Sequence, residues 1–141
     1  MAINCKLYCY EKVDNTVSTV AIKSVYCNYH RYYAYQLYNK TAEFVKLQSI
    51  LSALTSYNYN NVYCNTLYLY CNADVINFFI KDGNTWKYES NKNKLLLRNI
   101  RLLLMKFDHV YINQYKQTFL ESICDKVILG KDTFDSGTCN E

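Results

Sequence analysis

The sequence predicts a single α/β domain of the mixed kind: a five-stranded sheet, three strands in an antiparallel meander plus two more, with helices on both faces. Three observations carry this expectation. Residues 3–38 read as three successive strand-like runs, the first and third alternating in their side chains and the second rich in β-branched residues. A stretch of apolar residues at helical spacing follows. Beyond it, strand-like and helical segments alternate, which requires crossover connections and a sheet covered on its faces.

In the first run, Ile3, Cys5, Leu7, Cys9 and Val13 fall on one face, and Asn4, Lys6, Tyr8, Tyr10 and Lys12 on the other. Glu11 interrupts the apolar set. Asp14-Asn15-Thr16 supplies the side chains that stabilise a tight reversal. Val17–Asn28 is rich in β-branched residues and reads as the second strand. Tyr29–Tyr38 alternates with heavy aromatic content and reads as the third. A helix then opens with Asn39 or Thr41 as its cap and Glu43 in its first turn, where a carboxylate favours the helix dipole. Phe44, Leu47, Ile50, Leu51 and Leu54 form its apolar stripe.

Ser56–Asn65 is polar and reads as a loop. Thr66–Cys71 alternates as a fourth strand and meets a short polar break, Cys71-Asn72-Ala73-Asp74, with a helix expected from Ala73 to Ile80. Lys81-Asp82-Gly83-Asn84 breaks it, and Trp86–Lys92 has no regular pattern. Lys94–Phe107 has the period of an amphipathic helix, His109–Tyr115 alternates as a strand, and Gln117–Leu129 is helical, with Phe119, Ile123 and Val127 in one stripe and Gly130 as the stop. The domain is expected over residues 1–130, with a polar tail over 131–141. The crossovers should be right-handed.

Composition narrows the function classes. At 141 residues the chain can bury one substantial core. Its 16 Tyr and its lack of Pro, with abundant Asn, Lys and Ile, point to an AT-rich coding sequence of the kind found in many viruses, mobile elements and some bacteria. A formal charge of +4 permits nucleic-acid binding without arguing for it. Seven Cys cannot all pair within one chain. No charged leader precedes an apolar segment, and no run approaches the roughly 18 apolar residues of a membrane span. The expected setting is cytoplasmic and reducing. There is no C-x-x-C, and His30 and His109 stand alone, so zinc on Cys64 and Cys71 or on Cys5 and Cys9 has no supporting pattern. The three glycines are too scattered to cradle a phosphate.

The element order, with several motifs, resembles the ribonuclease H superfamily from Ile3 to about Gly130. In NKTAEF, Glu43 occupies the place of the catalytic Glu that opens the family's first helix. Cys71-Asn72-Ala73-Asp74-Val75-Ile76 resembles the T-D-S-x-x-V stretch at the end of its fourth strand. Asn93 with the following helix, then His109–Tyr115, fill the next places. Cys124-Asp125-Lys126-Val127-Ile128 resembles the Asp-bearing pattern of the last helix. The resemblance implies a two-metal phosphodiesterase site built from four carboxylates. Glu43 and Asp125 match that set. Asn72 stands where the central Asp belongs. The first-strand position falls on Cys9 or Tyr10. Glu11 reaches the site only through a shifted register, and Asp74 should point elsewhere by helical geometry. The family's glycine-rich turn and its Lys-Gly-His loop are missing.

These departures make the expected function a non-catalytic binding module: not an enzyme, without cofactor, docking on a protein partner as a viral or mobile-element accessory or inhibitor protein. The alternatives are a nucleic-acid-binding domain that does not cleave, and a divergent nuclease acting on RNA/DNA hybrid. Mg²⁺ or Mn²⁺ enters only with the nuclease. Lys94, Arg98 and Arg101 recur at helical spacing, with Lys92 and Lys106 extending the set, and can track phosphates or form an ordinary solvated face. The segment from Tyr29 to Tyr33, with Tyr57, Tyr59 and Tyr63, can stack on bases, anchor a protein interface, or be a strand and loop coloured by Tyr.

Overall fold

The computed structural model describes residues 4–14, 16–26, 29–56, 66–71, 80–82, 85–87, 93–114, 119–128, 133–135 and 139–140. Its strands are β1 (Asn4–Lys12), β2 (Val17–Tyr26), β3 (Tyr29–Tyr38), β4 (Thr66–Cys71), β5 (Ile80–Asp82), β6 (Thr85–Lys87), β7 (His109–Gln114), β8 (Thr133–Asp135) and β9 (Cys139–Asn140). Its helices are α1 (Ala42–Ser56), α2 (Lys94–Leu104) and α3 (Phe119–Ile128).

The main sheet runs β7-β4-β1-β2-β3-β8, with β9 also paired to β3. β1, β2 and β3 form the expected antiparallel meander, with Tyr8 opposite Lys23 and Lys23 opposite Tyr32. β4 lies parallel to β1, and β7 parallel to β4. The five strands β3-β2-β1-β4-β7 are thus the mixed sheet that the sequence predicts.

Alternation along β1 decides which face each residue serves. Cys5, Leu7 and Cys9 are buried and join Leu67, Leu69 and Cys71 of β4, Val20 and Ile22 of β2, and the inner stripes of α1 and α2 in one core. On the opposite face, Leu120, Ile123 and Cys124 of α3 pack on Ala21 and Ala34, with Tyr8, Tyr10 and Tyr32 around them. Alanines at the centre of β2 and β3 let the helix approach.

α1 starts where local chemistry allows. Thr41 Oγ1 accepts the backbone N–H of Phe44 at 3.2 Å, which satisfies one of the free donors of the first turn. Asn39 has φ 57, a conformation that Asn tolerates, and its N–H donates to the Thr16 carbonyl at 2.8 Å. The entry to α1 is thereby tied to the β1–β2 connection.

Two expectations differ from the fold. Residues 72–79, most of the helix expected over Ala73–Ile80, lie outside the described residues. Ile80 itself begins β5, which pairs antiparallel with β6, so Thr85–Lys87 is strand where no pattern was read. Lys81 and Asp82 of the expected breaker belong to β5, and Asp82 lies directly opposite Thr85. In the segment read as a polar tail, β8 pairs with Tyr33–Tyr35, and β9 with Tyr29 and His30. Strands this short carry too little alternation to be seen in a sequence.

Topology gathers one end of the molecule. β1, β4 and β7 are parallel, so their carboxyl ends share an edge. β3 also ends there, since Tyr38 pairs with Val17 beside the end of β1, and α1 begins directly after it. In open α/β sheets this edge is where sites form.

Candidate active-site edge

Three elements deliver the predicted residues to this edge. β1 brings Cys9, Tyr10 and Glu11, α1 brings Glu43, and β4 ends at Cys71. Asn72 and Asp74 lie outside the described residues. Asp125 lies within α3, with its side chain outside the described part.

Cys9 is 2% exposed and points toward α1. Burial pushes its thiol well above the ordinary range, and the neighbouring Cys71 and Glu11 add to the shift. Burial, then Glu11, pushes Cys71 up to about 12. Both thiols are therefore neutral near pH 7, which makes them poor nucleophiles and poor partners for a hard cation. Both are free.

Glu11 is only 9% exposed, and both carboxylate oxygens are shielded from solvent. It continues the Cys5–Leu7–Cys9 face in the native register, so no shift is needed to turn it inward. This corrects the sequence reading in which Glu11 turned to the site only through a shifted register. Alternation alone places residues 9 and 11 on one side of the strand.

Tyr10 points the other way, toward α3. Its hydroxyl donates to Glu121 Oε1 at 3.2 Å. Burial first and Glu121 second push its pKa from 10.0 to about 12. Glu121, in the first turn of α3, was missed in the sequence. The available signal was its spacing, one helical turn before Asp125.

Glu43 sits in the first turn of α1, half-buried, and its Oε1 is buried without a hydrogen bond among the described residues. Of the two expected caps, Thr41 is the one that accepts a first-turn N–H. α1 packs on the face of β1 that carries Glu11, so the two carboxylates lie on one side of the sheet at one edge. A hard divalent cation needs several oxygen ligands together. Among the described residues, no group of three or more His, Cys, Asp or Glu side chains could hold a metal ion. The described residues alone do not fit a two-metal centre, and no step through one is derived.

The cations are carried by a different element. Lys94 and Arg98 are exposed on α2, and Arg101 is half-buried in its last turn. The short connection from α2 to β7 makes the helix run back along the strand, so the basic line leads from the carboxyl-end edge toward the opposite one. Lys106, beyond the helix, is exposed, and Lys92 lies outside the described residues. In the Tyr29–Tyr33 segment, His30 meets the Tyr32 ring edge-on at 5.7 Å, and the Arg31 guanidinium lies 5.5 Å from the Tyr33 ring centre. Tyr57, Tyr59 and Tyr63 lie outside the described residues. No described helix is long and apolar enough to cross a membrane.

No family model matches the chain, and no curated protein matches it. Solved structures do. RNase H1 from the halophilic archaeon Halobacterium salinarum is similar with a TM-score of 0.65 and 11% identity, over 89% of this chain and 97% of that one. LC11-RNase H1, solved in complex with an RNA/DNA hybrid, gives 0.65 and 9%, over 88% and 99%. The N-terminal RNase H domain of a Mycobacterium tuberculosis protein, solved as a fusion with maltose binding protein, gives 0.59 and 7%, over 87% and 94%. At such identities the likeness concerns the fold, and it spans nearly the whole of each partner. The sheet order, the α1 entry at the carboxyl edge and these matches together establish that this chain has a ribonuclease H-like fold.

Proposed function

We propose that this domain binds duplex or hybrid nucleic acid without cleaving it. The observation that carries the reading is the exposed pair Lys94 and Arg98, continued by Arg101, on a fold whose LC11 counterpart holds an RNA/DNA hybrid. Lysine and arginine one helical turn apart suit successive phosphates. The absence of cleavage is supported by the composition of the edge. Asn72 has no charge, Tyr10 is turned away and bonded to Glu121, and Cys9 and Cys71 are neutral thiols.

The test is fluorescence anisotropy of labelled RNA/DNA hybrid, duplex DNA and single strands at rising salt. Binding to hybrid or duplex should weaken with salt, and Arg98→Ala should lower the logarithmic salt slope by about one. No binding at low salt overturns the proposal.

A second reading, a divergent nuclease, is favoured by one observation: Glu43 Oε1 is buried without a hydrogen bond among the described residues, on the same side of the sheet as Glu11. It predicts cleavage of hybrid with Mg²⁺ or Mn²⁺ that Glu43→Ala abolishes. Intact hybrid after prolonged incubation at high protein concentration removes it.

A further inference from the structure

The α3 side of the sheet is not covered evenly. α3 packs on β2 and β3, with a smaller contact on β1, and no residue of β4 or β7 joins its cluster among the described residues. Register decides what β1, β4 and β7 carry on this side. One row across the strands reads Lys6, Tyr68, Tyr111, and the next Lys23, Tyr8, Tyr70, Asn113. Lys6 and Asn113 are exposed, and Tyr111 is 51% exposed. Tyr8, Tyr68 and Tyr70 are half-buried. Neither row contains Asp or Glu.

The rings are ordered as well as numerous. Tyr68 and Tyr111 stack with centroids 5.3 Å apart and planes 17° from parallel, and Tyr8 and Tyr70 with 4.7 Å and 10°. Near-parallel rings this close must overlap face to face, because side by side they would collide. The ring faces therefore look from strand to strand. The first stack ends on Tyr111, which has one face on Tyr68 and the other turned away from it. In the next row, two residues along and so about 6.6 Å away, Asn113 stands beside Tyr70 with an amide that both donates and accepts hydrogen bonds. Toward β1 and β2 each row meets a lysine. Lys23 Nζ lies 6.0 Å from the Tyr8 centroid, and Lys6 follows Tyr68.

We propose that this tyrosine and lysine face binds single-stranded nucleic acid. One base stacks on the outer face of Tyr111, its neighbour meets Asn113, and the phosphate chain crosses the ring edges toward Lys6. Two features select this occupant. Every base has a flat π-face that prolongs a ring stack whatever its identity. The two rows also carry positive charge with no carboxylate to offset it, which complements a phosphate chain. A duplex does not suit the face, because its bases are already stacked on one another. The basic line of α2 lies on the opposite side of the sheet, where α2 shares a core with Leu67 and Leu69, so the two surfaces can be tested apart.

Fluorescence anisotropy with a short labelled DNA single strand and an abasic strand of equal length tests this. The two strands carry the same phosphates, so the difference between them reads stacking. The strand with bases should bind about tenfold or more tighter. Tyr111→Ala should remove most of that difference, and Tyr111→Phe, which keeps the ring, should retain it. Lys6→Gln should weaken both strands and lower the logarithmic salt slope by about 0.7. Arg98→Ala should leave these values unchanged. Lys6 and Tyr111 are solvent-exposed, and circular dichroism checks that each variant keeps its fold. No binding of either strand, or equal binding of both, overturns the proposal. So does a difference that survives Tyr111→Ala, and so does a loss through Arg98→Ala as large as that through Tyr111→Ala, which assigns the single strand to α2.

Discussion

Toward α1 and α2, β1 presents Cys5, Leu7 and Cys9; toward α3, the same strand presents Lys6, Tyr8 and Tyr10. The first face is aliphatic and dry. The second is a ladder of rings and cations. Tyr8 stacks on Tyr70 with centroids 4.7 Å apart, and Lys23 lies over the rings of both Tyr8 and Tyr32, at 6.0 Å and 5.3 Å. Tyr68 stacks on Tyr111 toward the open edge. The comparison separates two kinds of stabilisation. Apolar burial on the first face holds the sheet and helices together. On the second, each contact contributes about 1 kcal/mol and can change without loss of the fold.

The largest effect should come from the dry face. Leu69 is fully buried in the middle of β4. Leu69→Ala should cost about 2–5 kcal/mol, read as a lower urea midpoint, because neighbours on adjacent strands and helices cannot close the cavity. If the loss is no larger than that of Lys23→Met, the two faces do not differ as described.

Overpacking the second face ranks next. Ala34 is fully buried under α3. Ala34→Leu should lift the helix and cost about 1–3 kcal/mol. It should also disturb the Tyr10–Glu121 contact, seen as a shift in tyrosine absorbance, while α1 and α2 stay in place.

Alkaline pH probes the dry face differently. Cys71 has its pKa raised from 9.0 to about 12. A raised pKa means that the unfolded chain releases this proton first. Its contribution to stability is complete below pH 9 and is lost as pH rises toward 12. Unfolding midpoints should fall over that window, and Cys71→Val should flatten the fall. An unchanged pH dependence would show that Cys71 ionises as readily in the folded chain as in the unfolded one.

The same division explains what could be read in the sequence. Period-two alternation marked β1, β3 and β4, and β-branched content marked β2, whose middle is buried on both faces. Thr41 and Glu43 marked the start of α1 through helix-end chemistry. β8 and β9 escaped because strands of three and two residues have no pattern to count. The edge was legible in position but not in pairing. Glu43 was placed from a motif, whereas Glu11 was discounted on the ground that only a shifted register would turn it to the site, although alternation from Cys9 already puts it on the inner face. The contact of Tyr10 with Glu121 joins residues 111 positions apart, and no local signal links them.

The smallest effect is the most specific to the edge. The Tyr10–Glu121 hydrogen bond is exposed, and its 3.2 Å length is at the long end of the range. Tyr10→Phe should therefore cost only about 0.5–1 kcal/mol. Its signature lies in titration. The folded pKa of Tyr10 is raised from 10.0 to about 12, so its share of stability is present below pH 10 and disappears as pH approaches 12. Ultraviolet difference titration should show two late-ionising tyrosines, Tyr10 and the half-buried Tyr35, of which Tyr10→Phe removes one. Glu121→Gln should lower that ionisation only partly, because burial is the larger cause of the shift. If Glu121→Gln restores the ordinary value completely, the charge of Glu121 and not burial holds Tyr10 neutral, and the α3 side of this edge is electrostatic in character rather than packed.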